Sequence, residues 1–139
     1  MEPPHTPAIR SQQDLEQTWR RLMGPLGFSR HQLWVMLIEA DHRPLPHLIE
    51  IPDARWPPDA REIEALGKFL AGLHRGVVGA EGRVAFLRSR PGRDGVLERD
   101  RAWARALYDA CRAHHIPCEI VHLATDDRLL PLDDEDIVT

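Results

Sequence analysis

The sequence predicts a single α/β domain, with a mixed β-sheet of about four to five strands flanked by three helices. Three observations support this fold class. Short apolar runs rich in β-forming residues alternate with longer segments whose apolar side chains recur at helical spacing. No internal repeat or linker divides the 139 residues, a length that suits one domain. We expect residues 1–10 to form a flexible leader, 11–132 the domain and 133–139 an acidic tail.

The first third of the chain predicts a helix followed by a β-hairpin. Ser11 can cap the helix, and Asp14 lies where a carboxylate suits the positive end of the helix dipole. Residues 32–39 form a nearly continuous apolar run, which predicts a central strand. Residues 45–51 predict the returning strand, and Pro46 restricts its early part to an edge or an irregular stretch.

The middle of the chain predicts a second helix and a third strand. The proline-rich loop containing Trp56 precedes Asp59, which can cap the second helix. We expect the buried face of that helix to carry five apolar side chains, Ile63, Leu66, Phe69, Leu70 and Leu73. Residues 83–87 predict a short apolar strand.

The last third predicts a helix and two strands. The helix spans about residues 97–114, the fourth strand covers 118–123, and 129–132 adds a short fifth strand. A helix between two strands favours parallel pairing of those strands. The predicted architecture is therefore a two-layer or three-layer α/β sheet.

Composition narrows the class of protein. The formal net charge of −4 and the pI of about 6.0 argue against a generally basic nucleic-acid binder. Two cysteines are too few for a disulfide scaffold. The sequence shows no secretory signal and no apolar run of the roughly 20 residues that a membrane helix needs. We therefore expect a cytoplasmic protein.

A basic turn after the third strand is the first candidate site. Arg88, Arg90 and Arg93 lie between a strand end and a helix start, where backbone N–H groups and the helix dipole favour anions. The turn predicts an anion-binding site for a phosphate, a carboxylate, a nucleotide or a nucleic-acid backbone. The alternative is a solvated turn whose arginines pair with nearby carboxylates, namely Asp94, Glu98 and Asp100.

A group of soft ligands is the second candidate site, and it consists of Cys111, His114, His115, Cys118 and His122. Helical and strand spacing bring several of these side chains near one another, which makes a zinc site geometrically feasible. The spacing lacks the paired Cys-x-x-Cys signature. A buried cysteine and a helix end that favours cationic imidazole are the alternative explanation.

No motif of a known enzyme class is present. The sequence lacks the Gly-x-Ser-x-Gly elbow, the paired cysteines of zinc deaminases, and the glycine-rich patterns that bind nucleotides. We interpret Trp34, Trp56 and Trp103 as core or lid residues rather than as platforms for base stacking.

The segment from Leu33 to Leu132 resembles the RadC-like branch of the JAB/MPN metalloprotease family. In that family, an apolar strand leads into a His-x-His-Pro-Ser-Gly loop, and a Ser-x-x-Asp follows on the next helix. Here Val84 to Leu87 leads into Arg88-Ser89-Arg90-Pro91-Gly92, and Ile116-Pro117 precedes the fourth strand. The resemblance implies a JAB/MPN-like mixed sheet.

The resemblance also implies which positions would carry the family's metal site, in which two loop histidines and a helix aspartate bind zinc. The two histidines fall on Arg88 and Arg90. The aspartate falls on Arg101, or on Asp100 after a gap of one residue. Glu98 falls at the serine position, and Glu50 lies near the strand glutamate that acts on metal-bound water. A guanidinium stays cationic and has no acceptor lone pair, so it cannot bind zinc.

These observations predict a non-catalytic domain of JAB-like fold, a pseudoenzyme that acts through binding. We expect a protein partner or a second copy of the chain, no cofactor and no metal. The first alternative is an anion or nucleic-acid binder that uses Arg88, Arg90 and Arg93. The second is a metal-dependent hydrolase that uses four of the soft ligands, Cys111, His115, Cys118 and His122.

Overall fold

A computed structural model of the chain describes residues 7–133. Its helices are α1 (Gln12–Met23), α2 (Ala60–Leu73) and α3 (Glu98–Ala113). Its strands are β1 (Gln32–Ile38), β2 (Ile49–Ile51), β3 (Arg83–Ser89), β4 (Val121–Ala124) and β5 (Leu129–Leu132). The predicted fold class, an α/β domain with a mixed sheet and three helices, is confirmed.

The five strands form one sheet in the order β2-β1-β3-β4-β5. Strands β3 and β4 are parallel, and the other three neighbouring pairs are antiparallel. The parallel pair is the one joined through a helix, α3, because such a crossover returns the chain in the same direction. The predicted parallel pairing therefore occurs once, at the middle of the sheet.

Both faces of the sheet are covered, which gives three layers. Side chains alternate along β1, so Leu33 and Val35 face α2 and α3 whereas Met36 and Ile38 face α1. The larger core includes Leu70, Phe86, Trp103 and Leu107, and the smaller core includes Leu15, Trp19 and Leu87. This double coverage explains why β1 and β3 are apolar without alternation.

The helix starts follow the sequence signals. The Ser11 side chain accepts a hydrogen bond from the Asp14 amide at 3.1 Å, as predicted for the start of α1. Asp59 and Glu62 form a reciprocal capping box at the start of α2, with hydrogen bonds of 2.8 and 3.1 Å. Both predicted caps are confirmed.

The end of α2 differs from a simple glycine stop. The helix continues as a π-helical turn from His74 to Val78, and Gly79 ends it with a φ of 79°. The ring of the buried His74 hydrogen-bonds the carbonyl of Gly82 at 2.9 Å. This contact ties the turn to the start of β3.

The predicted leader is partly folded. Ile9 is fully buried in the smaller core, and its amide donates to the His42 carbonyl at 2.7 Å. Arg83 donates to the Ile9 carbonyl and to Glu119. Residues 1–6 of the predicted leader and 134–139 of the predicted tail lie outside the described residues. The folded part of the chain therefore begins before Ser11.

The bounds of three strands and the exposure of one helix residue need correction. The returning strand is only Ile49–Ile51, because Pro46 interrupts the pairing before it and leaves one isolated bridge between Pro44 and Ile38. Strand β3 extends beyond Leu87 to Ser89, and β4 begins at Val121 rather than at residue 118. Phe69 is 48% exposed and so does not belong to the buried face of α2.

Within residues 7–133, no helix is both long enough and apolar enough to cross a membrane.

Candidate functional site

A buried cluster of three charged side chains lies where β3 ends and α3 begins. Arg88 Nε donates to Asp100 Oδ1 at 2.8 Å, and Arg90 Nη2 donates to Asp100 Oδ2 at 2.8 Å. Arg88 and Asp100 are 0% exposed, and Arg90 is 1% exposed. We call these residues the Arg88–Asp100–Arg90 cluster. Two cations therefore share one carboxylate inside the fold.

Strand and helix geometry explain why the three side chains meet. Arg88 pairs in register with Leu33 and Leu123, so it points to the face of the sheet that α3 covers. Asp100 lies in the first turn of α3 and also accepts the Leu97 amide at 2.8 Å. The carboxylate therefore caps its own helix while it offsets part of the positive charge of the two arginines.

Arg88 also anchors the loop of residues 53–56. It donates to the backbone carbonyl of Ala54 and, at 3.4 Å, to that of Arg55. Its guanidinium lies 5.9 Å from the centre of the Trp103 ring, within the range of a cation–π interaction. Arg88 thus joins strand β3, helix α3 and a distant loop.

Arg90 anchors the turn that follows it. Its guanidinium donates to the carbonyls of Gly95 at 2.8 Å, Asp94 at 3.2 Å and Pro91 at 3.4 Å, in addition to Asp100. Every guanidinium nitrogen of Arg88 and Arg90 therefore already donates to a protein acceptor. Because the two side chains are also almost completely buried, neither presents a donor to an external anion.

The cluster shifts the ionisation of its members. Burial raises the pKa of Asp100, but the hydrogen bonds from Arg90, the Leu97 amide and Arg88 outweigh it, and the pKa lies below its ordinary value. Burial lowers the pKa of Arg88, and the contact with Asp100 opposes that shift. Asp100 is therefore a carboxylate at neutral pH, as its two cationic partners require.

This geometry alters the predicted anion site. We expected Arg88, Arg90 and Arg93 to share one exposed turn, but the first two are buried and only Arg93 is exposed. The pairing of arginine with Asp100, which was the alternative explanation, occurs for both buried residues. The buried pair is structural because the surrounding acceptors satisfy it.

A basic groove lies beside the cluster, and Arg88 contacts His31, one of the residues that line it. We call it the Trp56 groove; it has a volume of about 390 Å³ and is lined by Ser29, Arg30, His31, Asp53, Arg55 and Trp56. The Arg88 Nη2 atom lies 3.5 Å from His31 Nδ1. Arg99, from the first turn of α3, places its guanidinium 5.4 Å from the centre of the Trp56 ring.

Trp56 is 66% exposed and is therefore not a core residue, whereas the interpretation of it as a lid residue stays a prediction. Trp103, in contrast, is buried in the larger core as expected. The signal for the difference was the flanking Pro57-Pro58, which keeps Trp56 in a stiff loop rather than in an element that faces the core. Arg55 is the neighbour of Trp56 in the sequence, but Arg99 gave no signal of its own, because it approaches the Trp56 ring only in the folded chain.

The local potential of the groove is positive. His31 has a pKa below its ordinary value because of burial and because of the positive charges of Arg88, Arg55, Arg99 and Arg90. This positive region exists although the whole chain carries a formal net charge of −4. Positive charge is therefore concentrated around this groove and is not a property of the whole chain.

The Cys/His group is divided by the sheet. Cys111 on α3 and Cys118 near β4 lie on the α3 side, and a hydrogen bond from Cys118 lowers the pKa of the Cys111 thiol although burial opposes it. His122 points to the opposite face, where its Nε2 lies 3.9 Å from Glu16 Oε1. His115 is exposed with a φ of 55°. The four predicted ligands do not converge on one point.

His114, the fifth member of that group, packs at the contact between α2 and α3. A Cβ atom at Gly67 would lie 2.8 Å from its ring. Among residues 7–133, no group of three or more His, Cys, Asp or Glu side chains has the geometry to hold a metal ion. The two cysteines instead line a groove of about 290 Å³ with Tyr108 and Arg112.

Comparison with known proteins finds no matching family model, no matching curated protein and no matching solved structure.

Proposed function

We propose that the chain is a non-catalytic binding domain of JAB-like fold. One observation supports the proposal most directly. Arg88 and Arg90 stand where the resemblance puts two zinc-binding histidines, and both donate to Asp100, which stands at the third ligand position after a gap of one residue. The contact of these three residues supports the proposal, because the side chains meet in space as metal ligands would, but two of them have no lone pair to offer a metal.

The residues present do not fit a zinc ion. Zinc is held by imidazole, thiolate or carboxylate donors, and a guanidinium offers no lone pair and repels the cation. Glu50 does not supply the missing chemistry, because it pairs with Trp34 on the opposite face from Arg88. No hydrolytic step follows from these side chains.

Binding remains as the role that the surface supports. The predicted protein partner or second copy stays a prediction. Anion binding, the other predicted role, is favoured by a specific observation, the arginine-rich Trp56 groove beside the cluster. A concave surface that places charged groups beside an aromatic ring offers both paired hydrogen bonds and a stacking surface to a ligand.

The decisive experiment compares metal binding by the native chain and by an Arg88→His/Arg90→His variant. We expect the purified native protein to retain no stoichiometric zinc after dialysis and to show no isopeptidase activity. In the variant, two imidazoles next to Asp100 would provide three zinc donors, so we expect it to bind zinc when titrated.

The matched control adds Asp100→Asn to the histidine variant, which should remove that zinc binding. Near-UV circular dichroism establishes that each variant keeps its tertiary packing. One tightly bound zinc in the native protein, or isopeptidase activity that a chelator abolishes, would refute the proposal.

A further inference from the structure

Trp56 has the exposure of a binding residue rather than of a core residue. All four tryptophans lie in the described part of the chain, and Trp56 is the one that is exposed. A large aromatic ring in a groove loses unfavourable contact with water when a flat ligand stacks on it. The Arg99 guanidinium lies over the ring, 5.4 Å from its centre, and so brings a cation next to it.

Cations surround this ring on more than one side. Arg30 and Arg55 line the groove, and Arg99, from α3, lies over the Trp56 ring. Planar guanidinium groups bind phosphate oxygens through paired hydrogen bonds. An anion beside the ring would therefore meet donors from three separate segments of the chain.

Hydrogen bonds join the two segments that line the groove before any ligand arrives. The Ala54 amide donates to the His31 carbonyl at 3.0 Å. Arg88 donates to the backbone carbonyls of Ala54 and Arg55. Because these bonds already order the backbone of the groove, binding a ligand costs little further conformational entropy there.

Asp53 gives the groove one acceptor among its cations. Its backbone has a φ of 59°, a left-handed conformation that aspartate tolerates better than most residues. A carboxylate there repels a bare anion but accepts hydrogen bonds from amino or hydroxyl groups. The groove therefore suits a ligand that combines a flat ring, hydrogen-bond donors and a phosphate.

We infer that the Trp56 groove binds a free nucleoside phosphate, with its base on the Trp56 ring and its phosphate among Arg30, Arg55 and Arg99. The volume of about 390 Å³ is in the range of small-ligand sites. The net charge of −4 disfavours a long nucleic-acid strand that would extend beyond the groove. An acidic peptide would supply the anion but would leave the ring surface without a flat partner. This inference rests on the proposed binding function and names its ligand class.

The first test titrates the native protein with the four common nucleoside monophosphates and follows tryptophan fluorescence. We expect saturable quenching with a Kd below about 1 mM for at least one of them. Adenosine and inorganic phosphate, each of which lacks half of the ligand, should bind at least about tenfold more weakly. Quenching should weaken as salt is added, because the arginines are exposed to screening.

Single substitutions locate the site. Trp56→Ala should weaken binding by about tenfold or more. Calorimetry measures binding to this variant, because the substitution removes the fluorescent ring that reports binding in the native protein. Arg55→Gln should weaken binding and reduce its dependence on salt. Arg93→Gln removes an exposed arginine outside the groove, and Phe69→Ala removes an exposed aromatic ring on α2, so both should bind like the native protein.

Three outcomes would overturn the inference. They are the absence of saturable binding for all four monophosphates, equal loss of binding in the Arg93 control and the Arg55 variant, and preference for an acidic peptide or an oligonucleotide over the mononucleotide by tenfold or more.

The failure of this inference is distinct from that of the proposed function. A zinc-free protein that binds no nucleotide refutes only the ligand, whereas a zinc-binding protein refutes the non-catalytic proposal whatever it does with nucleotides.

Discussion

Asp100 is the residue on which the most buried polar contacts depend. Its two oxygens accept from Arg88, Arg90 and the Leu97 amide within 3.2 Å. Buried ion pairs often add little net stability, because removing the charges from water costs about as much as their attraction returns. Removal of one partner is different, since it leaves the remaining charges buried without compensation. This asymmetry makes Asp100 sensitive to substitution.

We predict that Asp100→Asn lowers the free energy of unfolding by about 3–5 kcal/mol, because two buried guanidinium groups lose their counter-charge. Urea denaturation measures the change. Glu98→Gln is the matched control in the same helical turn, because Glu98 is exposed and its ion pair with Arg101 is long, at 3.9 Å. This substitution should change stability by less than about 0.5 kcal/mol.

The native protein and the Asp100→Asn variant also test the direction in which folding shifts the pKa of Asp100. Because its pKa is lowered in the folded state, the carboxylate stabilises the fold fully above the unfolded value of about 3.9. That contribution is lost as the pH falls through the lower folded pKa. The gap in stability between the native protein and Asp100→Asn should therefore narrow in acid, and a gap that widens below that pH would contradict the assignment.

At the scale of elements, close packing around the start of β3 depends on glycine. The π-helical turn after α2 brings Val78 against Gly82, where an added Cβ would lie 2.5 Å from the Val78 side chain and 3.0 Å from the Ile38 carbonyl. The His74 ring holds the Gly82 carbonyl in the same place. The turn and the strand therefore cannot separate to admit a methyl group without loss of buried contacts.

We predict that Gly82→Ala destabilises the protein by about 1–3 kcal/mol, the range typical of overpacking. Gly72→Ala is the control within α2, because nothing lies within 4 Å of its added Cβ. Alanine is the better helix former, so this control should raise stability by about 0.5–1 kcal/mol. Thermal and urea unfolding measure both changes; equal effects of the two substitutions would contradict the packing argument.

The sheet separates the larger core from the smaller core, and the two cores draw on different segments of the chain. The smaller core needs Ile9, which the sequence placed in a leader, in addition to α1. Arg83 holds the Ile9 carbonyl while it contacts Glu119 near β4. The N-terminal segment is therefore part of the layer that covers one face of the sheet.

We predict that Ile9→Ala costs about 2–5 kcal/mol of unfolding free energy, because it leaves a cavity in the smaller core. Leu22→Ala, at an apolar position of α1 that is 43% exposed, is the control and should cost much less. A flexible leader predicts no effect for Ile9→Ala, so unchanged stability in urea would restore that interpretation.

Much of the fold could be predicted from local signals in the sequence. The caps at Ser11 and Asp59, the apolar runs of β1 and β3, and the helical spacing of α3 all act within a few residues of the chain. The exposure of Phe69 and the burial of Ile9 were not accessible, because they depend on which surfaces the neighbouring layers cover.

The candidate site shows the same division. From the residue types alone it follows that arginines stand at the end of the third strand, that Asp100 lies in the first turn of the next helix, and that guanidinium groups cannot hold zinc. The folded chain was needed to show that Arg88 and Arg90 turn inward to Asp100 and that Arg99 lies over an exposed Trp56. Residue type sets charge and donor capacity, whereas burial and proximity arise when segments distant in the chain pack together.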